Sequence, residues 1–124
     1  MPGGFRLTIR EGPRVRRTRF ATLPEALDEL EARLRPVSER VDMPAIDLRV
    51  RRFEPVVRVA ARADVSGPGR LLPRIRAGAD VRGDGSVEAW TGSVRRRLVE
   101  QQAGESPYDA LRRVLDPQSV SAGP

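Results

Sequence analysis

The chain has 124 residues, and its 23 basic residues, all arginine, outnumber its 17 acidic residues, which gives a net charge of +6 at pH 7. Cysteine, histidine and lysine do not occur in it, which excludes disulfide frameworks, the common zinc sites, histidine-activated nucleophiles and lysine Schiff bases. We therefore expect a protein that is not an enzyme, with no catalytic residue, no metal site and no cofactor.

Length and composition predict one α+β domain over residues 5–116, with flexible termini at residues 1–4 and 117–124. No apolar run approaches the roughly 20 residues that cross a bilayer, and the start of the chain lacks the apolar stretch of a signal peptide. We therefore expect a cytoplasmic protein that does not bind membranes. The use of arginine alone, with neither lysine nor asparagine, indicates a GC-rich bacterial genome.

The first predicted elements are two strands and a helix. Residues 5–9 alternate apolar and polar side chains, and a second strand follows over about residues 14–21, in a register that the pattern does not fix. Thr22 and Glu25 form a capping box at the start of the helix. The helix carries one apolar stripe, formed by Leu23, Leu27, Leu30, Leu34 and Val37.

An antiparallel meander and a short helix are predicted next. We expect strands over residues 46–53, 56–66, 70–82 and 86–100. Ser106 caps the final helix, and Pro107 takes its first position. The apolar side of this helix is Tyr108, Leu111, Val114 and Leu115. The predicted fold class is therefore α+β, with an antiparallel sheet of five to six strands in the order ββα, three or four strands and α, and with both helices packed on one face.

Two turns set the predicted register of the meander. Asp84-Gly85 between strands favours a two-residue type I′ turn, which places Ala79 opposite Trp90. A three-residue loop at Gly67-Pro68-Gly69 keeps charged side chains off the apolar side, where burying them without partners would be costly. We therefore expect Trp90 inside the core, near Ala79 and Val57.

The same registers collect arginines on the outer face of the sheet, where Arg62, Arg74 and Arg95 would form one row across three strands. The candidate binding residues on this face are Arg58, Arg62, Arg74, Arg76, Arg95 and Arg97. Like charges directly opposite each other in a sheet cost a few tenths to about 1 kcal/mol per pair. The face is therefore either solvated surface or a site for something anionic.

Charge is divided between strands and helices. Residues 1–22 carry six arginines and one glutamate, and residues 43–104 carry twelve arginines and seven acids, so each segment is +5. Residues 23–42 are −3 and residues 105–124 are −1. If both helices cover the apolar face, the molecule has a basic side and an acidic side.

Two functions are consistent with this layout. The first is an interaction module that binds an acidic protein surface, or associates with a second copy, through the basic sheet face. The alternative is sequence-independent binding of RNA or of a duplex backbone through the same arginines. The meander offers no platform of aromatic side chains, which disfavours binding of single strands.

Overall fold

In the computed structural model, the described residues are 4–42, 59–68, 75–92 and 95–115. The elements are β1 (Phe5–Glu11), β2 (Arg14–Phe20), α1 (Leu23–Asp42), β3 (Val59–Gly67), β4 (Ile75–Arg82), β5 (Val87–Thr91), β6 (Arg97–Leu98) and α2 (Pro107–Leu115). The strands form one antiparallel sheet in the order β2-β1-β3-β4-β5-β6. The predicted α+β class is therefore confirmed. The predicted strand over residues 46–53 and the predicted tails, apart from Gly4, lie outside the described residues.

The β1–β2 hairpin closes through a two-residue turn. Glu11 pairs with Arg14, and Gly12 between them has a φ of +60°. Glycine at the first central position, followed by a residue of negative φ such as proline, is the pattern of a type II′ turn. The turn fixes the register that the sequence left open, with Arg6 opposite Arg19.

The capping box at the start of α1 is confirmed. The amide of Glu25 donates to the hydroxyl of Thr22 (3.3 Å), and the amide of Thr22 donates to the carboxylate of Glu25 (3.2 Å). The predicted apolar stripe is buried along its whole length. The helix continues past Pro36 as far as Asp42.

Small side chains on the inner face of the sheet let the helices lie close to it. Alanines occupy successive inward positions of the three central strands, at Ala61, Ala63, Ala77, Ala79 and Ala89. Leu30 and Leu34 of α1 share one core cluster with these alanines, and so do Tyr108 and Leu111 of α2. Both helices therefore cover the same face of the sheet, as the sequence predicts.

The second helix begins as predicted and is tied to the first by ion pairs. The hydroxyl of Ser106 accepts a hydrogen bond from the amide of Asp109 (3.0 Å). Arg112 lies 2.9 Å from Asp28 and 2.7 Å from Glu31, both on α1. Burial raises the pKa of Glu31, but the hydrogen bonds from Arg35 and Arg112 outweigh it and hold that pKa below its usual value.

The turn between β4 and β5 differs from the prediction by one residue. Its loop has three residues, Gly83-Asp84-Gly85, because the amide of Arg82 bonds to the carbonyl of Ser86 (2.8 Å), and the amide of Gly85 bonds back to Arg82 (2.9 Å). Gly85 has a φ of +90°, in keeping with a three-residue hairpin whose last position is left-handed. The predicted two-residue turn is therefore wrong.

This one-residue shift moves every side chain of β5 to the other face. Ala79 lies opposite Ala89, and Trp90 lies opposite Gly78. Trp90 is only 2 % exposed, but its register position is on the outer face, away from Ala79 and the helices. Its predicted place in the core beside Ala79 is wrong, and Val57 lies outside the described residues.

The register of β3 and β4 is also corrected, without a change of face. Ala63 lies opposite Ala79, and Arg62 lies opposite Asp80 rather than Arg74. The connection from Gly67 to Ile75 therefore spans seven residues instead of three. Because the shift is an even number of residues, the side chains of β3 and β4 keep the faces that the sequence assigns to them.

The last predicted strand, over residues 86–100, is wrong as a single element. β5 ends at Thr91, and Gly92 follows with a φ of +116°. A Cβ at Gly92 would lie 2.1 Å from the carbonyl oxygen of Arg95, so the reversal here requires glycine. β6 then pairs back on β5, with Leu98 opposite Trp90.

Candidate binding surface

The sheet pairs two of the predicted binding arginines with acids. Arg62 donates two hydrogen bonds to Asp80, at 2.9 and 3.0 Å. Arg76 donates to Asp64 at 3.3 Å. These contacts neutralise two arginines that the sequence predicts to lie on an open basic face.

The other predicted residues do not complete the row. Arg95 lies beyond the end of β5, and Arg97 lies opposite Thr91, at a register position on the helix-facing side. Arg58 and Arg74 lie outside the described residues. The predicted row of Arg62, Arg74 and Arg95 is therefore wrong, because Arg62 faces Asp80 and Arg95 is not in the strand.

A buried carboxylate organises the outer face. Asp80 is 4 % exposed, and besides Arg62 it accepts a hydrogen bond from Nε1 of Trp90 (3.2 Å). Arg96 lies 3.7 Å from the same carboxylate, and its guanidinium carbon is 4.2 Å from the centre of a Trp90 ring. The hydrogen bonds that Arg62 donates to Asp80 raise the pKa of Arg62. Because two hydrogen-bond donors and one further cation all face this internal carboxylate, we assign the cluster to stability.

Gly78 makes room for the indole ring. A Cβ built at Gly78 would lie 2.6 Å from Cζ2 of Trp90 and 2.1 Å from the carbonyl oxygen of Ala63. The ring therefore lies against bare backbone, with Arg96 over it. Trp90 is consequently not available to stack on a nucleic-acid base.

The arginines without an ion pair concentrate on the β1–β2 hairpin. Among the described residues, those that make no ion pair are Arg6, Arg10, Arg14, Arg16, Arg17, Arg19, Arg95 and Arg97. Arg6 lies directly opposite Arg19, and Arg10 lies directly opposite Arg62. Glu11 is the one acid in either strand of the hairpin, and it pairs with Arg40 of α1.

β2 presents its arginines on both faces of the sheet edge. Arg14 and Arg16 lie opposite Glu11 and Ile9, on the helix-facing side, whereas Arg17 and Arg19 are on the outer side. Every residue of β2 before Phe20 is exposed. β2 is also the last strand on its side of the sheet, so its far edge has no partner strand in the described part of the chain.

The hairpin geometry identifies the free backbone groups of β2. The pair next to a two-residue turn is hydrogen-bonded, and such pairs alternate along an antiparallel ladder. Starting from Glu11 and Arg14, the amides and carbonyls of Val15, Arg17 and Arg19 point away from β1. These groups are available to another strand.

The hairpin arginines are not among the binding residues predicted from the sequence, although the charge of residues 1–22 contained the signal. Residues 1–22 are as positive as the almost threefold longer segment 43–104. The hairpin arginines stand beside a single glutamate, so the strands themselves offer almost nothing to neutralise them.

No protein-family model, curated protein or solved structure matches the chain. In the ranges that the structure describes, no group of three or more acidic side chains is placed to hold a metal ion. The helices of those same ranges are too polar or too short to cross a membrane.

Proposed function

We propose that the protein is a binding module for an acidic segment of another protein, which adds to the sheet as an extra strand beside β2. The observation that supports this function is an exposed edge strand whose arginines, on both faces, have no ion pair with any described residue. The proposal keeps the acidic partner expected from the sequence and moves the contact from the centre of the sheet to its edge.

Strand addition uses two kinds of contact. Backbone hydrogen bonds to an exposed edge supply affinity, and side chains at alternating positions supply specificity. The free backbone groups of Val15, Arg17 and Arg19 provide the first kind. The guanidinium groups provide the second, because each can hold a carboxylate with two parallel hydrogen bonds.

The spacing of the arginines defines the acidic pattern that fits. Side chains directly across a strand pair share a face, so carboxylates opposite Arg14, Arg16, Arg17 and Arg19 occupy the first, third, fourth and sixth positions of a six-residue segment. This spacing is the same whether the added strand runs parallel or antiparallel to β2. The edge therefore favours the pattern acid, any residue, acid, acid, any residue, acid.

A second copy of the chain fits this edge poorly. The seven residues of β2 include four arginines and no acid, so pairing β2 with itself collects like charges on both faces. Binding of nucleic acid is supported by the positive charge alone, because the described part of the outer face has no exposed aromatic ring that could stack on a base. An acidic protein segment matches both the backbone edge and the charge.

Peptide binding measured by fluorescence anisotropy tests the proposal. The test peptide contains the segment Glu-Val-Glu-Glu-Thr-Glu, and its control has the same composition in the order Glu-Glu-Val-Thr-Glu-Glu. We expect the first to bind more tightly, since the control places only part of its acids opposite arginines. A duplex RNA of equal charge serves as the third ligand.

Two matched variants locate the contact. Arg17→Gln/Arg19→Gln and Arg95→Gln/Arg97→Gln remove the same charge from exposed arginines without ion pairs, on opposite edges of the sheet. Each lost exposed pair is worth about 0.2–1 kcal/mol, so the loss of two pairs in the first variant should weaken peptide binding roughly 2- to 30-fold. The second should change it less than about twofold.

Three results would contradict the proposal. Equal losses in both variants would show that only net charge matters. Tight binding of the RNA with no binding of either peptide would favour the nucleic-acid function instead. Failure to bind any of the three ligands would leave the arginines as protection of an edge strand against aggregation.

A further inference from the structure

A groove between α1 and β2, on the helix-facing side of the sheet, has a volume of about 260 Å³. We propose that it binds a small anion joined to an apolar group, such as an aryl phosphate or an aryl carboxylate. Arginines line the groove from both walls, with Arg14 and Arg16 on β2 and Arg33 and Arg40 on α1.

The charges in the groove leave two guanidinium groups for a ligand. Arg40 pairs with Glu11, the one acid in the lining, and Arg33 lies 2.6 Å from Glu29. Arg14 and Arg16 have no ion pair with a described residue. They lie on the same side of the same strand, two residues apart, so both can reach one phosphate or carboxylate.

The rest of the lining is apolar. Ile9 of β1 and Ala32, Pro36 and Val37 of α1 contribute to it. A buried cavity of about 150 Å³ accommodates benzene, so a groove of about 260 Å³ has room for one ring and an anionic group. It is smaller than the roughly 300–1,000 Å³ of pockets for drug-sized ligands, which restricts the ligand to a small molecule.

This site shares Arg14 and Arg16 with the proposed strand addition, but the two proposals are tested separately. A partner strand requires the outward backbone edge of β2, whereas the small anion requires the space between β2 and the helix. Binding of the small anion is assigned to Arg14 and Arg16, and the peptide test above relies on Arg17 and Arg19. Either proposal can therefore fail without the other.

Calorimetric titration with phenyl phosphate, phenylacetate and inorganic phosphate tests the site. Arg14→Gln/Arg16→Gln should weaken binding of the aryl anions at least tenfold. Arg17→Gln/Arg19→Gln is the matched control, because it removes the same charge from the other face of the same strand, and it should change the affinity less than twofold. Inorganic phosphate should bind at least tenfold more weakly than phenyl phosphate, since it lacks the ring.

A second pair of variants tests the groove from the helix side. Ala32 is exposed on α1, so substitutions there leave the core intact. Ala32→Glu places a carboxylate beside the arginines and should abolish binding of both aryl anions, whereas the uncharged Ala32→Gln should retain binding within a few-fold. Equal effects of the two arginine variants, equal affinity for phenyl phosphate and inorganic phosphate, or no binding of either aryl anion would overturn the proposal.

Discussion

Asp80 holds together three side chains that would otherwise crowd the outer face. Arg62 lies on β3, Trp90 lies on β5, and Arg96 directly precedes β6. Arg62 and Trp90 donate hydrogen bonds to the Asp80 carboxylate, and Arg96 lies near that carboxylate and over the Trp90 ring. A buried carboxylate is costly unless it is hydrogen-bonded and paired. Here both conditions are met, so we assign the cluster to stability.

Replacing Asp80 by Asn should lower the free energy of unfolding by about 2–3 kcal/mol. The change removes the negative charge that faces Arg62 and Arg96 and that accepts the hydrogen bond from Nε1 of Trp90. Asp64→Asn is the control, since its single contact with Arg76 is partly exposed and is worth less than about 1 kcal/mol. Urea unfolding followed by the fluorescence of the single tryptophan measures both. Equal losses in the two variants would contradict the assignment.

Tyr108 of α2 is buried, and its hydroxyl has no hydrogen-bond partner among the described residues. Burial raises its pKa to about 12 from the usual 10.0, although the nearby Arg35 opposes the change. The neutral ring is favoured in the folded state. The resulting stability is therefore fully present below pH 10 and is lost as the pH rises towards 12.

Absorbance titration of the single tyrosine checks this value directly. The native protein should form tyrosinate with a midpoint near 12, and the protein in denaturant should do so near 10. A native midpoint near 10 would show that the hydroxyl reaches water.

Among the elements, those set by local chemistry could be predicted from the sequence and those set by register could not. The capping box at Thr22 and the leucine stripe of α1 depend on neighbouring residues alone, and both are confirmed. The β4–β5 loop could close at Asp84-Gly85 or one residue earlier at Gly83, and the preference of Asp-Gly for a two-residue type I′ turn favoured the wrong choice. Glu88 shares a face with Trp90, so burying the indole in the core would have buried that carboxylate too.

The sign of one substitution distinguishes the two registers. In the observed register Gly78 lies under Trp90, so Gly78→Ala should destabilise the fold by about 1–3 kcal/mol through overpacking. In the predicted register position 78 would face solvent opposite Thr91, and alanine would be neutral or stabilising by up to about 1 kcal/mol. Urea unfolding measures the sign. If the loss of stability caused by Gly78→Ala is smaller when Trp90→Leu is also present, the loss arises from contact with the indole ring.

Over the described residues as a whole, positive charge is neutralised in the centre of the sheet, and the arginines without ion pairs lie mostly on the β1–β2 hairpin. The sequence predicts a basic outer face but not which arginines remain without partners, because the pairs Arg62 with Asp80 and Arg76 with Asp64 exist only in the observed registers. For the β1–β2 hairpin the register matters less, because its two strands carry a single glutamate. The excess of positive charge in this hairpin could have been predicted from the charge count alone.

Amide hydrogen exchange can distinguish strand addition at the free edge of β2 from other modes of peptide binding. With the acidic peptide at saturation, exchange at Val15, Arg17 and Arg19 should slow at least tenfold, because their amides would then donate to the added strand. Amides of β6, the other edge of the sheet, should exchange at unchanged rates. A peptide that binds while these three amides of β2 keep their exchange rates would contradict strand addition.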